Sequence, residues 1–155
     1  LYNNAQIGMP KVKAIMTCLH LKHKKFAYKP IDKKINTTSD IVNIMSTINF
    51  NNEEDLIIDC FDNIESRSII NEEESIAKNI LHIGFSPKLH SEIYWDKDYS
   101  VPKEDDNSDD ICENPLAKPF ILFSVSFSAM VIEEFFARKN KFNYIIYNKY
   151  NIQKV

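Results

Sequence analysis

The chain has 155 residues and a mass of 18.1 kDa, with 44% hydrophobic and 26% charged residues, which is typical of a globular domain with a sizeable core. Its net charge of −3 and its pI near 5.8 exclude attachment to nucleic acid or to an anionic membrane by overall charge alone. The two glycines, Gly8 and Gly84, lie far apart, which excludes the Gly-rich phosphate loops of Walker and Rossmann type. The excess of Asn, Ile and Lys indicates an AT-rich coding genome.

The first 85 residues carry alternating strand and helix patterns. Residues 1–3 predict the end of a strand, Pro10 begins a helix with apolar residues at positions i, i+3, i+4 and i+7, and residues 26–31 predict a short strand. Residues 37–40 offer several helix caps, and a second helix follows as far as Ile48.

Two more strands and a helix follow in this region. Residues 56–61 and 68–70 predict an antiparallel hairpin, and Asn71 is a candidate cap for a third helix that Gly84 ends. The apolar positions predicted on this helix are Ile76, Ala77, Ile80 and Leu81. The predicted order is therefore β-α-β-α-β-β-α over residues 1–85.

The remaining residues predict a loop and an α/β extension. Residues 96–113 contain eight acidic residues and two lysines, a net charge of −6 that predicts a solvated loop or linker. Residues 120–128 alternate between apolar residues and serines and predict a strand, 129–139 a helix, and 142–152 a tyrosine-rich strand.

These patterns predict three regions: a domain over 1–85, an acidic linker over 86–118 and a β-α-β-like extension over 119–155. The longest mostly apolar window, residues 119–132, has 14 residues and includes three serines. It is too short and too polar to span a bilayer, so we expect no transmembrane segment.

The order of elements in residues 1–85 resembles a thioredoxin-like fold, and local features resemble the N-terminal domain of the glutathione transferases. The first ten residues are similar to the strand-loop-helix start of the tyrosine-type enzymes, with Tyr2 at the place of their catalytic tyrosine. Glu74 and Ser75 resemble the step that holds the γ-glutamyl carboxylate of glutathione at a helix N-terminus. The resemblance implies Tyr2 as the catalytic residue, Glu74 and Ser75 as ligand-binding residues, and glutathione as the ligand.

Two departures weaken the match to an active enzyme. The family has a cis-proline before its third strand, whereas residues 53–56 contain no proline. The family also continues into a long all-helical domain that the last 70 residues do not resemble. Residues 56–81 are similar, in addition, to thioredoxin-like subunits of mitochondrial ribosomes and respiratory complexes, which keep the scaffold without redox cysteines.

Other chemistry-bearing residues are sparse. Cys18, Cys60 and Cys112 form no CxxC pair, which predicts neither a disulfide framework nor a zinc site and favours a reducing intracellular compartment, cytoplasm or mitochondrion. A targeting signal is not visible because the chain begins at Leu1 rather than Met. His20 and His23 share a helix face but lack an identifiable third metal ligand, so no metal site is predicted.

The charged and aromatic residues suggest partners. A basic patch could contact RNA phosphates or an acidic protein; it comprises Lys22, Lys24, Lys25, Lys29, Lys33 and Lys34. Aromatic residues, 12% of the chain, are concentrated in its later part, and aromatic side chains are enriched at protein interfaces. We therefore expect a non-catalytic interaction or structural module in a larger assembly, without a required cofactor. The alternatives are a glutathione-dependent transferase and a ribosome- or RNA-associated subunit.

Overall fold

A computed structural model describes residues 4–72, 78–86, 88–103, 117–147 and 150–155. The described residues form a mixed α/β structure with four α-helices and a five-stranded mixed sheet. The chain divides into two compact units, Leu1–Asn36 and Thr37–Val155. The α/β class expected from the sequence is confirmed.

The first unit contains a 3-10 turn, Asn4–Gln6, and helix α1, Lys11–Lys22. Pro10 precedes α1, as the sequence predicts, because a proline there costs no helical hydrogen bond. The side-chain amide of Gln6 donates to the carbonyl oxygen of buried Ala14 at 3.1 Å. Residues 23–36 form no strand, so the strand predicted over 26–31 is wrong.

The second unit begins with helix α2, Thr38–Ile48, at the place the sequence predicts. A capping box starts it: the Thr37 hydroxyl accepts from the backbone N–H of Asp40, and the Asp40 carboxylate accepts from the backbone N–H of Thr37. Asn49 ends the helix in the left-handed conformation, which asparagine tolerates better than most residues.

Three strands and one helix follow α2, and after them come a long helix and a final hairpin. Their bounds are β1 Ile57–Asp59, α3 Ile64–Glu72, β2 Ile80–Ser86, β3 His90–Trp95, α4 Ala117–Arg138, β4 Tyr144–Tyr147 and β5 Asn151–Lys154. The sheet order is β1-β2-β3-β4-β5, with β1 and β2 parallel and the other neighbours antiparallel. The helix α3 makes the crossover that a parallel pair requires.

One face of the sheet forms the apolar core under α4. Leu81 pairs with Trp95 and Ile83 pairs with Ile93, so these side chains share a face. The helix contributes Phe120, Val131 and Phe135 to the same buried cluster, which also includes Ile146 of β4. Phe135 lies 4.9 Å from Trp95, measured between ring centroids, and is 1% exposed. Burial of these aromatic and branched residues is the main stabilising contribution of this face.

The middle of the chain differs from the sequence prediction. Residues 68–70, predicted as a strand, belong to α3, and Asn71 lies near the end of that helix rather than at the start of another. Ile80 and Leu81, predicted on a helix, lie in β2, where both are buried because the strand is covered on both faces. Gly84 lies within β2 and does not end a helix.

The last part of the chain also differs. Residues 120–128, predicted as a strand, lie within α4, which extends the helix predicted over 129–139 to 22 residues. Residues 142–152, predicted as one strand, contain β4 and the start of β5, which pair as a hairpin. Asp96 and Asp98, at the start of the predicted solvated loop, form a 3-10 turn bound to the sheet. Asp96 accepts from the backbone N–H of Ile80 at 2.5 Å.

Candidate functional site

The residues implied by the glutathione transferase resemblance, Tyr2, Glu74 and Ser75, lie outside the described residues. Helix α3 ends at Glu72 and β2 begins at Ile80, so the third helix expected to start at Asn71 is not formed as predicted. Their roles in glutathione binding therefore stay predictions.

The basic patch lies in the first unit. Lys22 ends α1, and the other five lysines follow in a stretch without helix or strand; all six are exposed. These are Lys22, Lys24, Lys25, Lys29, Lys33 and Lys34. An exposed lysine can contact a phosphate only as a point charge, so such a patch could attract a polyanion but could not read a nucleotide sequence.

The cysteines and histidines form no metal centre within the described ranges. Cys18 and Cys60 are not joined in a disulfide, and Cys112 lies outside those ranges. Cys60 is exposed as a residue, but the partial burial of its sulfur, together with the negative charge of Asp59, raises the pKa of this thiol. A raised pKa keeps the sulfur protonated near neutral pH, which is unfavourable for nucleophilic catalysis.

A buried polar network occupies the sheet face opposite the α4 core. Asp59 of β1 and His82 of β2 are direct neighbours across the parallel pair, and both are 1% exposed. The Asp59 Oδ2 atom lies 2.7 Å from His82 Nδ1, and its Oδ1 accepts from the backbone N–H of Phe61 at 2.9 Å. A buried carboxylate needs such partners, because an unpaired charge inside a protein is costly.

Tyr99 and Arg67 complete this network. The Tyr99 ring stacks on the His82 ring with centroids 4.0 Å apart. Arg67 of α3 donates from Nη1 to the Tyr99 hydroxyl at 2.6 Å, from Nε to the Phe61 carbonyl at 2.6 Å and from Nη2 to the Ile83 carbonyl at 3.3 Å. Burial raises the pKa of Tyr99, and the hydrogen bond from Arg67 opposes that rise. We name Asp59, His82, Tyr99 and Arg67 the polar network.

An Asp–His pair can orient an imidazole for acid–base catalysis, as in hydrolase triads. Here His82 Nε2 is buried and has no hydrogen-bond partner among the described residues. Catalysis would require that nitrogen to reach a substrate, and the stacked Tyr99 ring and the 1% exposure of His82 oppose access. The geometry fits a role in fixing α3, β1, β2 and the Tyr99 segment together.

The second feature of interest is the outward side of α4. One face of this helix enters the core, while the opposite face carries a straight row of exposed residues, which we name the outer stripe. It consists of Lys118, Leu122, Val125, Ala129, Glu133 and Phe136. Leu122 is 68% exposed, Val125 51% and Phe136 54%, and Met130 beside the stripe is 62% exposed. Contiguous exposed apolar side chains of this kind mark interaction sites.

Helix α4 is also long and apolar enough to cross a membrane, judged by length and composition, with 28% of the relevant window buried. The core helix of a soluble protein can pass the same test. The core contacts of Phe120 and Phe135 account for one face of the helix, and the outer stripe is what those contacts leave uncovered.

Sequence reasoning missed both features. Asp59 and His82 lie 23 positions apart and meet only through strand pairing, so no local motif identifies them. The residues of the outer stripe follow helical spacing over 19 positions of the sequence. This pattern was missed because the alternation of apolar residues and serines over 120–128 predicts a strand instead.

The structure thus defines a mixed α/β protein with a buried polar network and an exposed apolar helix face. No protein-family model, curated protein or solved structure matches this chain significantly.

Proposed function

We propose that this chain is a non-catalytic interaction module that binds a protein partner through the outer stripe of α4. The observation that carries the proposal is the exposure of Leu122, Val125 and Phe136 on a helix whose other face is firmly packed. When a helix has apolar residues on two opposite faces, one face packs against the core of its own domain. The other face stays exposed and is available for contact with a second surface. The polar network supports a structural role, since its histidine is closed to solvent.

Several predictions from the sequence remain proposals beside this one. A thioredoxin-like scaffold stays a proposal: one parallel β-α-β pair with an antiparallel neighbour fits it, whereas the strands predicted over 26–31 and 68–70 are not formed. The aromatic-rich part of the chain, expected to bind the partner, includes α4 and the final hairpin. The reducing intracellular location agrees with Cys18 and Cys60, which are not joined in a disulfide.

The experiment compares three tagged proteins purified from cells under native conditions. The wild type is set beside Leu122→Ser combined with Phe136→Ser, and beside the control Ile7→Ser combined with Leu21→Ser, whose parent side chains are 81% and 71% exposed in the first unit. We expect the wild type and the control to run as complexes of fixed stoichiometry, measured by light scattering and mass spectrometry. We expect the stripe variant to run as a folded monomer. A wild type that is a lone monomer in cell extract, and that after purification stays monomeric even at about 200 µM, would show the proposal to be wrong.

A second candidate is binding to RNA or another polyanion through the basic patch, which its six exposed lysines favour. The affinity for a single-stranded RNA should then fall steeply with salt, and Lys24→Ala with Lys25→Ala should reduce the salt dependence by about two charges. Binding that is insensitive to salt would exclude the patch as the contact surface.

A further inference from the structure

The outer stripe has opposite charges near its two ends. Lys118 lies in the first turn of α4 and Glu133 lies 15 positions later, both exposed and on the same side of the helix. Neither residue makes an ion pair with any of the described residues, whereas the neighbouring Glu134 is bound to Arg138 and Asn140. At a rise of 1.5 Å per residue these two charges are separated by about 22 Å along the axis.

The row between the two charges is apolar, and its residues decrease in size from Leu122 through Val125 to Ala129. Leu122 is large and strongly exposed, and Ala129 is small and exposed. The midpoint between Lys118 and Glu133 falls between Val125 and Ser126. Facing helices pack well where a large side chain on one fits beside a small one on the other.

A second copy of α4, packed antiparallel to the first, pairs the opposite charges and also places large side chains beside small ones. If a two-fold axis passes beside Val125, Lys118 faces Glu133 of the partner subunit, and the symmetric contact forms at the other end. Leu122 then faces Ala129 of the partner subunit. A parallel arrangement would instead place like charges opposite each other. Two-fold interfaces need a self-complementary surface, which this row of residues provides.

We propose that the partner of the outer stripe is a second copy of this chain, bound through antiparallel packing of the two α4 helices. This inference rests on the proposed function and specifies its partner. A contact limited to one helix from each subunit buries on the order of 1,000 Å² in total, near the lower end for specific interfaces. Contacts of this size are typical of transient interactions, so we expect a reversible dimer, which the concentration range of the test is chosen to detect.

Charge reversal provides the test, measured by sedimentation equilibrium of the purified full chain at about 1 to 200 µM. The wild type should approach twice the 18.1 kDa chain mass. Lys118→Glu and Glu133→Lys should each raise the dissociation constant about tenfold or more, because each places like charges opposite each other twice. The double variant, Lys118→Glu with Glu133→Lys, should dimerise like the wild type. An equimolar mixture of the two single variants should form a heterodimer, because each brings the charges that the other lacks.

The outcomes separate the inference from the proposed function. A wild type that stays monomeric over this range overturns the inference. If it also forms a complex with a different chain that Leu122→Ser with Phe136→Ser abolishes, the proposed function stands. Flotation of the monomer with neutral phosphatidylcholine vesicles would overturn both in favour of a membrane surface. A dimer that neither single variant weakens would also overturn this geometry, and the fluorescence of buried Trp95 verifies that each variant is folded.

Discussion

The two faces of the sheet in the second unit are stabilised by different chemistry. Under α4 the contacts are apolar and aromatic, with Phe135 against Trp95 at the centre. On the opposite face Asp59 and His82 share a hydrogen bond, and Arg67 donates to the carbonyl oxygens of Phe61 and Ile83. Apolar packing is tolerant of residue type when volume is kept, whereas a buried polar network depends on each member.

This difference shows how β2 serves both faces at once. Its odd-numbered residues, Leu81 and Ile83, enter the apolar core, while His82 enters the polar network and Gly84 leaves space for Arg67. A strand covered on both faces lacks the alternation of an exposed strand, and here it alternates between two kinds of interior. The predictions below test whether the two faces differ as described.

The largest effect is expected for Phe135→Ala. It removes a fully buried ring from the apolar face, which should lower the free energy of unfolding by about 3 to 5 kcal/mol. The matched control is Phe136→Ala, whose parent ring is 54% exposed and which should cost less than about 1 kcal/mol. Urea unfolding followed by circular dichroism measures both. Equal costs for the two variants would mean that α4 does not pack on the sheet through Phe135.

A smaller loss is expected for Asp59→Asn on the polar face. Asparagine keeps the shape and can still accept from the N–H of Phe61, but it loses the charged contact with His82. Removing a hydrogen bond to a charged buried group should lower the free energy of unfolding by about 2 kcal/mol. Asp62→Asn, at an exposed neighbouring position, is the control and should change it by less than about 0.5 kcal/mol. Equal values for both substitutions would show that the network contributes no stability.

The pH dependence provides a third, weaker test of the polar face. The folded-state pKa of Tyr99 is raised mainly by burial, so the folded protein holds this proton more tightly than the unfolded chain. The contribution of protonated Tyr99 to the free energy of unfolding is therefore fully present below the pKa of the unfolded chain, about 10. It is lost as the pH rises above that value towards the folded-state pKa. Because the pKa of Cys60 is also raised, both proteins compared carry Cys60→Ser. Above this pH the free energy of unfolding of Cys60→Ser should fall more steeply than that of Cys60→Ser with Tyr99→Phe. Parallel curves would contradict the burial of the hydroxyl.

Local signals in the sequence were sufficient for part of the fold. Pro10 with its apolar spacing predicted α1, and the Thr37 cap predicted α2. The strand β1 was also placed within residues 56–61. For the two helices the determining interaction lies within a few residues of the helix start, so the local sequence is sufficient to predict them.

The errors arose where tertiary burial decides the structure. Ile80 and Leu81 fit a helix pattern, but both are buried because the sheet is covered on two sides. In α4, Ser124 and Ser128 lie on the buried face, and Ser128 Oγ donates to the Ser124 carbonyl at 2.8 Å. Serines therefore occupy core positions of α4. In the sequence, their alternation with apolar residues has the pattern of a strand with one polar face.

The polar network could not be predicted from the sequence for a further reason. Its members come from β1, α3, β2 and the segment after β3, and the contact between Arg67 and Tyr99 joins residues 32 positions apart. Polar residues at such separations predict contact only once strand order and register are known. The outer stripe, in contrast, depends only on helical spacing and on knowing that residues 117–138 form one helix.

The smallest effect is expected for Gly84→Ala, which tests how closely Arg67 packs against β2 at Gly84. An added Cβ would meet Arg67 Nη1 and Nη2 at 3.4 Å, at the edge of ordinary van der Waals contact. Alanine also loses less backbone entropy on folding than glycine, so the two effects should offset and the free energy of unfolding should change by less than about 1 kcal/mol. Gly84→Val is the matched comparison, because its methyl groups extend beyond the Cβ and must displace the guanidinium from the Ile83 carbonyl and the Tyr99 hydroxyl. Urea unfolding should therefore give a clearly larger loss for valine than for alanine, despite the preference of valine for strands. Equal stability of the two variants would mean that Arg67 does not hold its place against this face of β2.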